Sequence, residues 1–294
     1  MTGITAGLLA GALWGLVFIA PRMTPGLSSI DLASGRFGVF GLMSLLVLIL
    51  TRRPWPNRAQ WRSALLLSVL GFSGYYWLLV LAIRDAGTEV PTLIIGTIPL
   101  WIMLLGKPHG LRWAALVPGL VLTAGGLLLM MNITTPPAAP GAEPHFARGV
   151  LYALAAMVSW TAFGLLNAAW LRRHPDVDVA DWSNWLGVAT GGGALLLWLA
   201  LGTPAAQLLA QPHIAQSAWV CLATGLGAAW LATWLWNVAS QQLSPSLCGQ
   251  LIVSETLFAL LYSFVLDGHA PSVLQLGACV LFTLGILFSI RAHR

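Results

Sequence analysis

Glu255 is the lone carboxylate in the apolar run GQLIVSETLFALLYSF (249–264), and Arg36 is the lone cation in LASGRFGVF (32–40). A carboxylate so placed can carry a proton or meet an ammonium group. A guanidinium can grip a carboxylate through two parallel hydrogen bonds. Each residue also has a plainer use. Glu255 can stay neutral and bond a neighbouring helix, and Arg36 can serve helix packing or an outer gate while its stem reaches toward an interface. Tryptophan is in excess, with 15 in 294 residues. Buried indole N–H groups seek acceptors while the rings offer apolar surface.

Which solvent surrounds these groups follows from composition. Hydrophobic residues make up 58% of the chain and charged residues 8%, against about 25% charged in soluble domains. That is too little charge to cover a water-facing surface. A helix needs about 20 mostly apolar residues to cross the hydrocarbon core. Ten stretches qualify: 3–20, 30–50, 63–83, 87–106, 111–131, 148–170, 182–201, 216–238, 243–266 and 272–290. The runs are continuous rather than alternating, which disfavours a barrel. The fold class is therefore an all-α polytopic membrane protein. The opening MT lacks the positive charge of a signal peptide, so the first span is expected to remain as a helix. Most of the 14 Lys and Arg residues, from Arg52 and Arg53 to Arg291 and Arg294, fall on the side holding the N-terminus. The positive-inside rule then places both termini in the cytoplasm.

The chain divides near its middle. The Pro-rich 136–147 reads as an extracytoplasmic linker between halves at 1–135 and 148–294. Asn132 begins a weak glycosylation sequon, NIT. The halves resemble each other: GLLAGALWGLVF sets Trp14 against Trp160 in YALAAMVSWTAFG. The stretch 77–101 lies over 234–258 at one constant offset, pairing Trp77 with Trp234, Ala82 with Ala239 and Pro99 with Thr256. Five spans per half is odd, so the second half is inverted. Inverted repeats mark secondary transporters, whose sites lie near the midplane between repeats.

At 1.5 Å rise per residue, Glu255 falls near the bilayer centre. Trp55, Trp61, Trp113, Trp170, Trp182, Trp198 and Trp219 lie at span ends, where an interfacial belt accounts for them. Trp14, Trp77, Trp101, Trp160, Trp230 and Trp234 do not. Trp230, Trp234, Asn237 and Gln241 form one stripe by helical spacing, matched in the first half by Ser73, Trp77 and Val80 with Tyr76 adjacent. These rings either line a cavity or pack helices. Pro91, Gly96 and Pro99 are expected to kink the fourth span, with Gly96 and Pro99 as hinge or gate. Gly11, Gly15 and the glycines of 190–193 permit close helix approach.

The repeat, SGRFG with Arg36-Phe37, the connections AIRDAGTEVP and ASQQLSPSL, and mid-helix Pro99 together resemble the drug/metabolite transporter superfamily, EamA type. The resemblance spans essentially the whole chain. It is most like the YddG-type exporters of aromatic and other neutral amino acids. It implies ten helices as five plus five, a bacterial inner-membrane location and alternating access. The family often has Glu-Pro in the ninth helix; here the pair is Glu255-Thr256, without the proline kink. On this reading Trp14, Tyr76, Trp77, Trp101, Trp160 and Trp234 contact the apolar part of the cargo. Asn237 and Gln250 supply hydrogen bonds, and Arg36 and Glu255 recognise charged ends or couple protons.

Other chemistries lack their residues. The six histidines all lie in connections or tails, and the three cysteines sit in separate spans without C-x-x-C spacing. No metal, cofactor or enzymatic activity is expected, nor an ATP-binding loop. A single lysine and one clear intramembrane arginine do not suit phosphorylated cargo. Neutral or zwitterionic metabolites fit, in a monomer whose partners are its cargo and the lipid bilayer, without nucleic acid. A proton-coupled exporter of cationic drugs using Glu255 is the alternative, and a scaffold or receptor without transport is the reading from another class.

Overall fold

The computed structural model describes residues 2–87, 89–134, 145–268 and 270–293. Most of the expected linker, together with Arg294 and His269, lies outside the described residues, as does the Asn132 side chain. The described part is helical: α1 (Gly3–Ile19), α2 (Ser29–Leu50), α3 (Arg58–Ala86), α4 (Glu89–Gly96), α5 (Ile98–Leu105), α6 (Trp113–Thr134), α7 (Phe146–Arg173), α8 (Val179–Leu201), α9 (Ala205–Leu209), α10 (Ile214–Gln242), α11 (Pro245–Asp267) and α12 (Val273–Ala292). Among the described residues nine of these helices are long and apolar enough to cross a membrane.

Side-chain oxygens fix where the helices begin. Thr2, Ser28, Asn57, Asp178, Ser244 and Ser272 each accept from a backbone N–H of their first turn. Such caps satisfy donors that have no intrahelical partner. Asn57 with Gln60 and Ser272 with Gln275 form reciprocal capping boxes.

The fourth expected span, 87–106, is broken into α4 and α5 rather than kinked. Pro99 has no N–H to return to Ile95, but a proline is accommodated in the first turn of a helix. The chain therefore stops at Gly96 and restarts at Ile98. Thr97, at the break, donates its hydroxyl to the Ile94 carbonyl at 2.6 Å.

Two long helices carry a π turn: Val69–Ser73 in α3 and Gly225–Leu231 in α10. At the offset that aligns Trp77 with Trp234 the two turns overlap. A π turn inserts one residue into the helix and rotates everything beyond it.

Polar contacts gather the helix ends into two faces. On the N-terminal face Arg53 pairs with Asp178 at 3.1 Å, Trp185 Nε1 donates to the Pro54 carbonyl at 3.0 Å, and Ser246 N donates to the Gly106 carbonyl at 3.2 Å. On the opposite face Thr203 bonds Asp31, and Gln216 bonds the Met23 carbonyl. There the buried Asp85 receives Arg84 Nε at 2.9 Å and Arg148 Nε at 2.6 Å.

The packing partners follow one pattern. α2 packs on α8 and α6 on α12; α1 packs on α10 and α11, while α7 packs on α3, α4 and α5. Exchanging α1 with α7, α2 with α8, α3 with α10, the α4–α5 pair with α11, and α6 with α12 returns the same list. Small residues permit the closest crossings. A Cβ on Gly41 would meet Gly191 Cα at 2.6 Å, so α2 and α8 touch backbone to backbone. A Cβ on Gly15 would meet Ala259 N at 2.9 Å, and one on Gly11 would strike Ser254, where α1 crosses α11.

Candidate functional site

Arg36 on α2, Tyr75 and Tyr76 on α3 and Glu255 on α11 converge between the helices. All four are half-buried. The π turn before Gly74 sets the phase of α3. The Tyr76 ring meets Phe37 edge-on with centroids 6.3 Å apart, and its hydroxyl donates to the Ser29 carbonyl at 2.9 Å. The Arg36 guanidinium lies 4.6 Å from the centroid of the same Phe37 ring. Arg36, Tyr75 and Glu255 are within electrostatic reach of one another. Among the described residues Arg36 and Glu255 form no ion pair, and Arg36 Nε is buried without a hydrogen-bond partner. Arg36 and Glu255 thus share a recess without pairing by contact.

Below this recess, toward the N-terminal face, lie three indoles. Trp14 is 6.3 Å from Trp160 and 5.2 Å from Trp236, and Trp160 is 6.4 Å from Trp236, centroid to centroid. Trp14 and Trp160, paired by the repeat, do meet. Trp236, which spacing did not single out, is 2% exposed with its N–H unpartnered. Further toward that face α5 closes on α11. A Cβ on Gly249 would meet Ile102 Cγ2 at 2.8 Å, and one on Gly106 would meet Pro245 Cβ at 2.6 Å. Among the described residues α4 and α11 have no seam of similar extent.

The remaining expected residues sit elsewhere. Asn237 is fully buried: its Oδ1 accepts from Asn167 Nδ2 at 2.8 Å and its Nδ2 donates to Ser183 Oγ at 2.9 Å. Trp182 Nε1 donates to Asn167 Oδ1 at 2.9 Å, so the cluster pins α7, α8 and α10 together. Gln250 is likewise fully buried, donating to Thr123 Oγ1 at 2.8 Å and accepting from Ser289 Oγ at 3.0 Å, which ties α11 to α6 and α12. Both amides are committed to protein partners.

Trp77 and Trp101 are exposed and join no aromatic cluster; the Trp101 indole donates to Thr97 Oγ1 at 3.2 Å. Trp77 follows Tyr75 by two residues, roughly 200° around the helix. With Tyr75 turned inward, Trp77 turns outward. Trp234 is partly buried against the cluster around Ala6, Ala239 and Ile252, and Trp230 donates to Asn184 Oδ1 at 2.9 Å. Two tryptophans expected in the interfacial belt are core instead: Trp182 is 0% exposed and stacks on Trp170 with centroids 3.5 Å apart. Gly96 and Pro99 flank the break between α4 and α5.

Among the described residues no cluster of His, Cys, Asp or Glu could hold a metal ion. The histidines with described positions all flank helices, and Cys221 and Cys248 are buried free thiols. A separate recess of about 340 Å³ opens on the N-terminal face beside Pro108, Gln242, Ser244 and His293. None of the expected site residues lines it.

The comparisons with known proteins cover this whole architecture. Inner membrane protein YtfF of Escherichia coli (strain K12) is 32% identical over 307 aligned positions, spanning 99% of this chain and 96% of that protein. One solved crystal structure superimposes with a TM-score of 0.79 over 98% of both chains at 19% identity, a likeness of fold. The sequence model of the EamA-like transporter family matches residues 1–132 and 147–291. This chain belongs to the EamA-like transporter family, within the drug/metabolite transporter superfamily.

Proposed function

We propose that this transporter exports neutral amino acids, aromatic ones among them, and related zwitterionic metabolites across the bacterial inner membrane. The observation that carries the reading is the unpaired opposition of Arg36 and Glu255 in one recess. A zwitterion satisfies both, its carboxylate on the guanidinium fork and its ammonium on the carboxylate. Trp14 and Trp160, partly exposed beneath, offer aromatic surface to the side chain. The inner-membrane location takes support from the relative's name.

Transport proceeds by alternating access between inverted halves, 1–135 and 148–294, with both termini cytoplasmic. The exchangeable packing list and the overlapping π turns support two related halves. The α5–α11 seam and the Trp14–Trp160–Trp236 cluster support a state closed on the N-terminal face and open on the other. Opening in the opposite sense would part α5 from α11 and bring α4 against the C-terminal half of α11, with Gly96–Pro99 as the hinge. Arg36 close to Glu255 counts against the cationic-drug reading, because a fixed cation repels such cargo.

Uptake of labelled aromatic and aliphatic amino acids into proteoliposomes, with and without an imposed pH gradient, tests the proposal. Saturable uptake that unlabelled amino acids compete away is expected. Transport of a cationic dye in preference to every amino acid would return the reading to drug export. No flux of either would leave a scaffold or receptor.

A further inference from the structure

Resting on the reading of alternating access, we infer that the Ile102 side chain is the latch that holds the N-terminal face closed, seated in two glycine notches on α7 and α11. Ile102 lies on α5, in the first half of the chain, and both notches belong to the second. A Cβ on Gly164 of α7 would meet Ile102 Cδ1 at 2.9 Å. One on Gly249 of α11 would meet Ile102 Cγ2 at 2.8 Å and Ile102 Cβ at 2.9 Å. The two branches of one isoleucine thus reach two different helices. Ile102 is 1% exposed and shares a buried cluster with Ala6 of α1, Trp236 of α10 and Cys248 of α11. One turn further along the chain the Gly106 carbonyl accepts from Ser246 N at 3.2 Å, which continues the same seam.

Close-packed surfaces switch between arrangements rather than deforming smoothly, so a side chain either fills such a seat or leaves it. Parting α5 from α11 must draw Ile102 out of the Gly249 notch. Tilting α5 away from α7 must draw it out of the Gly164 notch. The repeat does not supply the same plug to the opposite face. Carried one step past the Trp101–Phe258 pair, it sets Ile102 against Ala259, which has no atom beyond Cβ. A latch built into one half alone accords with closure on the N-terminal face.

The test is the rate at which a water-soluble maleimide modifies Cys248 in the purified full-length protein without cargo, the label being located by mass spectrometry. The buried Cys221, which packs on Gly35 of α2, serves as the control. Gly164→Ala overfills one notch and Ile102→Val leaves it part empty. Each is expected to raise the Cys248 rate several-fold and to leave Cys221 unchanged. Together they conserve volume: valine lacks Cδ1, and the next atom, Ile102 Cγ1, lies 3.8 Å from the new methyl. The double variant should therefore label at the wild-type rate. Gly249→Ala should not be rescued by Ile102→Val, because its methyl meets Ile102 Cβ and, at 3.1 Å, Met103 N, which remain. Rescue of both glycine variants, or of neither, would overturn the assignment, as would rates that rise equally at Cys248 and Cys221. Where Gly164→Ala fails to fold, Ile102→Ala only removes atoms and must still raise the Cys248 rate alone; an unchanged rate overturns the latch. A wild-type Cys248 rate indifferent to added L-phenylalanine and every other cargo would instead refute alternating access, and the latch with it, whatever the variants do.

Discussion

The contact between α2 and α8 gives the sharpest structural prediction, because neighbouring glycines should respond with different sign. A Cβ on Gly191 would lie 2.7 Å from Gly41 Cα, while one on Gly192 meets nothing within 4 Å. Carbon atoms in ordinary contact sit about 3.5–4.0 Å apart. Gly191→Ala therefore requires α2 and α8 to separate by about 1 Å along a crossing that has only backbone on either side. Overpacking of this kind costs about 1–3 kcal/mol. Replacing a helical glycine by alanine also returns about 0.5–1 kcal/mol, and this gain is common to both positions. Gly192→Ala should thus be neutral or slightly stabilising, and the difference between the two variants isolates the packing cost. Equilibrium unfolding of both purified variants in mixed micelles measures it. Gly41→Ala with Gly38→Ala, whose Cβ also meets nothing within 4 Å, repeats the comparison from α2. Equal stabilities within each pair would refute the backbone-to-backbone crossing.

Three further predictions concern the polar pins, the closed face and the acid. Asn237→Ala is expected to lower stability by about 1–2 kcal/mol, since it strands the buried Asn167 and Ser183 groups; unfolding coinciding with wild type would contradict the pinning role. Cys248, 2% exposed above the closed face, should resist a water-soluble maleimide in resting protein and react several-fold faster while cargo cycles. A labelling rate indifferent to cargo would count against alternating access. Glu255→Gln should fold normally yet abolish any response of uptake to a pH gradient, because it removes the carboxylate within electrostatic reach of Arg36. An unchanged response would take proton coupling away from Glu255.

Sequence by itself determined the solvent and the broad plan. A chain with 8% charge and continuous apolar runs must hide its backbone polar groups in helices. The capping residues marked where several helices start, and Arg36 and Glu255 stood out because charge at that depth is costly. The Trp14–Trp160 pairing was also legible, since residues related by a repeat about a central axis come close to each other. What only the tertiary structure decided was which way the other side chains face. Lipid is as apolar as a helix interface, so no amphipathic stripe points inward. Spacing at 100° per residue was then the remaining guide, and it fails wherever the helix is interrupted. Past the π turn in α3, Tyr76 meets Phe37 of α2 while Trp77 is exposed. The break at Thr97 divides a span that hydropathy reads as one. Asn237, Gln250 and Trp182 became interhelical pins because buried amides and indoles take the nearest partners on neighbouring helices, and those partners are far away in sequence.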